Sequence, residues 1–213
     1  TMRTIRGLIL FLILSQPALA QSGPFLFVFL NNNPHKTELP KAKVDSLMAG
    51  HLANITRLAN EGKLLAAGPF HGGGGVFVLG TNSTDSARTW LSTDPGIRAS
   101  RWIIELMPYE PLRGSICRVG ESYEMTSYTF VRSTVTGDAG PTALQAWMGR
   151  LREVVPQDSI VTEGMFPQHK GTILVVRGEW EDSRFQELPE VKKGVVSLTK
   201  KKLWIAKGSF CER

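Results

Sequence analysis

His51 and Asp94 are the residues of this chain whose types could do proton chemistry near neutral pH. An imidazole held by a carboxylate can act as a general base, the carboxylate fixing the tautomer and stabilising the imidazolium. His51 stands among Leu47, Met48, Leu52 and Ile55, the spacing of one helical face, so its ring should point towards a sheet. Each residue also has a plain structural reading. A histidine on an apolar helix face is often a satisfied core residue. An aspartate before Pro95 is an ordinary turn former whose carboxylate caps local backbone donors.

A duplicated unit must position these two residues. Gly68-Pro69-Phe70 returns 96 positions later as Gly164-Met165-Phe166. Arg113-Gly114-Ser115-Ile116-Cys117 returns 94 positions later as Lys207-Gly208-Ser209-Phe210-Cys211. Two landmarks recurring in order at nearly one offset mark an internal repeat. His51 then aligns with Trp147 and Asp94 with Leu188. Only the first copy retains the ionisable pair, so one site per chain is expected.

The elements repeat as well. Phe25 to Leu30 is a continuous apolar run, read as a strand buried on both faces. A helix carrying Val44, Leu47, Met48, Leu52, Ile55 and Leu58 follows, stopped by Gly62 as a C-terminal cap. Leu64–Ala67 is a short strand, Gly72–Gly75 a flexible connection and Val76–Leu79 the next strand. A short helix capped by Ser83 or Thr84 comes next, and Arg101–Met107 closes the unit. The second half has strands at Thr126–Arg132, Ser159–Glu163, Thr172–Val176 and Val195–Ile205. Its helix, opened by Pro141, carries Leu144, Trp147, Met148 and Leu151 on its apolar face. Each half thus reads βαββαβ, the ferredoxin-like pattern. One such unit leaves a sheet face uncovered, so an α+β fold is expected in which the two repeats pack sheet to sheet as a barrel within one chain.

Residues 1–20 read as a secretory signal peptide. Arg3 and Arg6 precede the apolar run Leu8–Leu14, and Ala18 and Ala20 offer an A-x-A-type cleavage site. The run is too short for a spanning helix, which takes about 20 residues. Cleavage leaves 193 of the 213 residues and lowers the formal charge by those two arginines, from +6 to +4. A soluble, secreted or periplasmic protein is expected, with no membrane partner after cleavage. Residues 24–118 and 124–213 are then the two repeats, joined near Val119–Glu124. In an oxidising compartment Cys117 and Cys211 are either a disulfide, the favoured reading, or two buried or free thiols.

The stretch His51-Leu-Ala-Asn-Ile, Glu61-Gly62-Lys63, Ala67-Gly68-Pro69-Phe70, Ala87 and Thr93-Asp94-Pro95-Gly96 resembles the YciI-like (YCII-related) family over residues 24–110. The resemblance implies a ferredoxin-like fold assembled as a dimeric α+β barrel, with His51 and Asp94 as the active-site dyad. A dehydrochlorinase acting on a chlorinated hydroxyquinol is similar, and muconolactone isomerases are distant relatives. It therefore implies proton abstraction, of lyase or isomerase type, from a small cyclic or carbonyl substrate. Single-repeat relatives pair as homodimers. Here the second half, lacking the dyad, would supply the partner, giving a monomeric pseudo-dimer. Ser100 stands where a glycine is common.

Gly68, Pro69 and Phe70 are expected to wall the substrate pocket. His71 is either a second pocket base or a loop residue, and Arg98 either steers an anionic substrate or is solvated. The alternative function is a non-catalytic small-ligand-binding or interaction protein that keeps the barrel. A haem- or quinone-handling monooxygenase of this barrel type has no supporting residues beyond the fold, and no cofactor is called for. The glycine run lacks the Gly-Lys-Ser/Thr ending of a phosphate loop. His35, His51, His71 and His169 lack metal-ligand spacing. The charges are scattered, with no aromatic-basic motif for nucleic acid, and Lys200–Lys202 reads as an exposed strand end. Asn54-Ile55-Thr56 and Asn82-Ser83-Thr84 match glycosylation sequons.

Overall fold

Alternation along Phe25–Asn32 (β1) sets up the whole architecture. Phe25, Phe27 and Phe29 enter one apolar cluster, whereas Leu26, Val28 and Leu30 enter another. Successive strand residues point to opposite faces, so β1 is covered on both sides, as its unbroken apolar run predicts. The computed structural model describes residues 23–211, apart from residues 121, 138, 139 and 182. The segment read as a signal peptide lies outside the described residues.

The first half continues with α1 (Lys41–Asn60), β2 (Leu64–Pro69), β3 (Gly75–Leu79), α2 (Thr84–Leu91), α3 (Pro95–Arg98), β4 (Trp102–Arg113) and β5 (Ser115–Ile116). The second runs β6 (Met125–Val135), α4 (Pro141–Val154), β7 (Ile160–Phe166), β8 (Gly171–Arg177), α5 (Ser183–Gln186), α6 (Pro189–Lys192), β9 (Val196–Ala206) and β10 (Phe210–Cys211). Strand order is β2-β3-β1-β4 in one half and β7-β8-β6-β9 in the other, the same order twice. The closing strand β4 runs well beyond the expected Met107 because its last residues pair with β7.

The halves meet at two equivalent seams. At one, β4 pairs antiparallel with β7. At the other, β2 approaches β9, with Phe70 bridged to Leu203 and the His71 N–H donating to the Lys202 carbonyl at 2.8 Å. The eight-stranded sheet therefore closes on itself, and its interior is one shared core. Phe29 from the first half packs edge-to-face on Phe130 and Phe166 from the second, with ring centroids 6.0 and 5.9 Å apart. The helices lie outside, over two further clusters, one per half. Lys200–Lys202 corrects one expectation: it lies in mid-β9, paired with β6, not at a strand end.

The recurring glycines mark the seams. A Cβ on Gly68 would lie 2.4 Å from the Trp204 carbonyl oxygen, and one on Gly164 would lie 2.4 Å from that of Glu110. Any side chain there would push the paired edges apart. Alanine at either position is expected to cost about 1–3 kcal/mol through forced backbone shifts. Equilibrium denaturation checks this; wild-type stability in both Gly68→Ala and Gly164→Ala would refute the seam constraint.

The second landmark also has a physical basis. β5 and β10 form a two-residue ladder pairing Ile116 with Phe210 and Ser115 with Cys211. Beside it Cys117 and Cys211 form a disulfide, 5.7 Å between Cα atoms. Of the two cysteine readings, the structure takes the bond.

Candidate active site

Asp94 is the hub of the site. It is the N-cap of α3, with Pro95 opening the helix, and its Oδ1 accepts the N–H groups of Gly96 and Ile97 at 2.9 and 3.0 Å. Oδ2 accepts from His51 Nδ1 at 2.8 Å and from Asn54 Nδ2 at 3.2 Å. The capping role and the partnership with His51 therefore coexist, one on each carboxylate oxygen. Asp94 is fully buried. Burial pushes its pKa up, but the bonds from His51, Ile97 and Asn54 outweigh it and hold the carboxyl below its ordinary range. Asp94 is accordingly an anion at neutral pH.

Two glycines allow the approach. A Cβ on Gly50 would lie 2.6 Å from Pro95 Cγ, so only glycine beside His51 lets α1 sit this close to α3. A Cβ on Gly96 would lie 2.4 Å from the Trp102 indole. That indole lies against the His51 imidazole with centroids 4.5 Å apart, and the Phe77 ring stacks against it at 5.6 Å. Both rings and the Asp94 carboxylate thus fix the position of the imidazole.

The tautomer follows from the partner. An ionised carboxylate can only accept, so His51 Nδ1 carries the proton and Nε2 the lone pair. His51 lines a cavity of about 570 Å³. Gly68, Pro69 and Phe70 line it too. His71 and Arg98 do not. His71 is exposed beyond the β2–β9 seam, its N–H spent on Lys202, and Arg98 is exposed on α3.

Several residues here were missed by sequence reasoning. Asn54, given no site role by the sequence, is buried; its Oδ1 accepts from Arg57 Nη2 and Thr93 Oγ1 at 2.8 and 2.9 Å. With its amide donating to Asp94, no face of Asn54 is left for a glycan. Its position three residues after His51, on one helix face, was the available signal. Trp102, Phe77, Lys36 and Arg101 left no comparable pattern.

The apolar stripe of α1 differs from expectation. The spacing predicts a face turned to the sheet, yet Met48 and Leu52 are 42% and 55% exposed. With Val44, Leu47 and Ile55 they form a cavity wall. In the second half Trp147 and Leu188 occupy the equivalent places. Leu188 caps α6 ahead of Pro189, as Asp94 caps α3 ahead of Pro95, but has no side-chain bond to offer. Trp147 is buried in that half's outer cluster and donates to Ser133 Oγ at 2.7 Å.

Residues 25–109 match the model of the YCII-related domain. Among solved structures, a chain from Fusobacterium nucleatum subsp. nucleatum named "Putative monooxygenase" aligns over 90% of this chain and 95% of its own, at 10% identity and a TM-score of 0.46. No curated protein matches this chain.

Proposed function

We propose, taking residues 25–109 as a YCII-related domain, that this chain is an exported enzyme in which His51 abstracts a proton from a small cyclic or carbonyl substrate. The observation that carries the reading is the 2.8 Å bond from His51 Nδ1 to the buried Asp94 carboxylate, with His51 on a cavity wall. Nε2 takes a proton from carbon next to an activating carbonyl, and the electron pair stays on the substrate as an enolate. The enolate then either expels a leaving group from the neighbouring carbon, as in a lyase, or recovers the proton at another carbon, as in an isomerase. Asp94 acts through His51, holding the tautomer and balancing the charge of the imidazolium.

The second half, with Trp147 and Leu188, serves as structural partner, so a monomer with one site per chain is the working unit. The Cys117–Cys211 disulfide supports export, since such bonds persist in oxidising compartments.

The test is exchange of acidic C–H groups with deuterated water, followed by proton NMR across a panel of cyclic ketones and enolisable acids. His51→Ala is expected to slow any catalysed exchange by ~10²–10⁴-fold, the usual contribution of a general base. Exchange that persists in His51→Ala would remove the reading. Binding by the wild type without exchange of any compound would favour the non-catalytic alternative.

A further inference from the structure

The proposed base and the cavity it lines leave the substrate open, and the rest of the lining narrows it. We propose that the cavity takes a small organic anion, its apolar ring against the α1 stripe and its carboxylate held by Arg101 and Lys36. The inference rests on the reading of this cavity as the ligand site.

Charge on the wall is of one sign. Lys36 and Arg101 both line the cavity, and no aspartate or glutamate does. Among the described residues no carboxylate pairs with either cation. Lys63 and Arg57, by contrast, are each paired with Glu61. Two unpaired cations facing one apolar cavity leave their charge for a ligand to neutralise.

Arg101 is built to hold such a group. It is half-buried, and its Nη1 donates to the Thr37 carbonyl at 2.8 Å, which anchors the side chain against the segment before α1. A guanidinium has five N–H donors, so that anchor leaves enough of the fork to hold a carboxylate by two parallel bonds. The chain turns at Ser100, whose φ of 50° is left-handed, immediately before Arg101. The steering role considered for Arg98 thus falls to Arg101, three residues later.

The α1 side of the cavity asks for an apolar body. Val44, Leu47, Met48, Leu52 and Ile55 line the cavity on one helix, and Met48 and Leu52 remain largely exposed. A ring laid along them would remove apolar surface from water, the main source of affinity for such ligands. Arg101 and Trp102 line the same cavity as His51, and the Trp102 indole packs on the His51 ring, so an anion at Arg101 shares the cavity with the base. A carboxylate left unneutralised would oppose formation of an enolate beside it. Arg101 and Lys36 remove that penalty.

Titration of the purified chain with naphthalene-2-carboxylate, naphthalene-2-carboxamide and naphthalen-2-ylmethylammonium, followed by calorimetry, tests this. The carboxylate is expected to bind at least about tenfold more tightly than the amide, as a charged hydrogen-bonded pair does, and the ammonium not measurably. Arg101→Gln should abolish that preference while holding amide affinity within about twofold, which also reports an intact fold. Lys36→Gln should reduce the preference partway, and His51→Ala should keep it. Equal binding of carboxylate and amide, an undiminished preference in Arg101→Gln, or no binding of any probe overturns the proposal. The two readings fail separately. Carboxylate preference without C–H exchange leaves the anion site and removes the base, and exchange without the preference does the reverse.

Discussion

Asp94→Asn is expected to cost about 3 kcal/mol of stability together with nearly all activity, because an amide cannot serve both halves of the hub at once. An amide offers one acceptor where the carboxylate has two. If its oxygen keeps the α3 cap on Gly96 and Ile97, its NH₂ group faces His51 and Asn54. Asn54 Nδ2 is itself a donor, so the two amides oppose each other. His51 Nδ1 must then accept, which moves the ring proton to Nε2 and removes the lone pair that takes the substrate proton. A loss of ~10²–10⁴-fold in rate should follow. Nitrogen-15 NMR of the imidazole checks the tautomer, and denaturation checks the stability. An unchanged tautomer would falsify the positioning role.

The same carboxylate sets an acid limb. Its pKa is lowered in the folded state, so its contribution to stability is complete above the unfolded value, about 4. The contribution is lost as pH falls through the folded value, because the unfolded chain takes up the proton first. Asp94→Asn should therefore show a smaller loss of stability below pH ~4 than the wild type. Parallel pH titrations of stability compare the two directly.

Removing the Cys117–Cys211 bond is expected to have the largest effect on stability alone. The bond closes a sequence separation of 94 residues. In the chain-entropy account such a loop constrains the unfolded state by about 4–5 kcal/mol. It also pins the β5–β10 ladder that joins the ends of the two halves. The Cys117→Ser/Cys211→Ser double variant avoids leaving a stray thiol. Its guanidinium midpoint should fall well below that of the oxidised wild type, and reductant should then have no further effect on it. A midpoint matching the wild type would show that the shared core and the two seams already hold the halves together.

Much of the architecture was legible because its signals are local. The apolar run of β1 and the Gly62 stop depend on a few neighbouring residues, and both lie where expected; the short helix α3, which Asp94 caps where only a turn is expected, does not. The α1 stripe was legible as a face but not as a wall. Val44, Leu47, Met48, Leu52 and Ile55 have the same spacing whether they meet a sheet or a cavity. Asn54 was masked by its sequon, although its spacing from His51 placed both on one helix face.

By itself the sequence showed two landmarks recurring in order at nearly one offset, with an imidazole and a carboxylate beside only the first set. Chain spacing alone settles that, through the repeated Gly-x-Phe and Gly-Ser-x-Cys landmarks and the Trp147 and Leu188 that stand in the second copy. Tertiary structure alone decided the rest. Gly68 and Gly164 recur because backbone from the other half comes within 2.4 Å of where a Cβ would sit, a constraint set by residues far away in sequence. His51 and Asp94 became a pair only when α1 closed on α3 through Gly50 and Pro95. Arg101 rather than Arg98 reached the cavity because the chain leaves α3 through a left-handed turn at Ser100. Each of these depends on where two distant backbone segments meet, which no local spacing encodes.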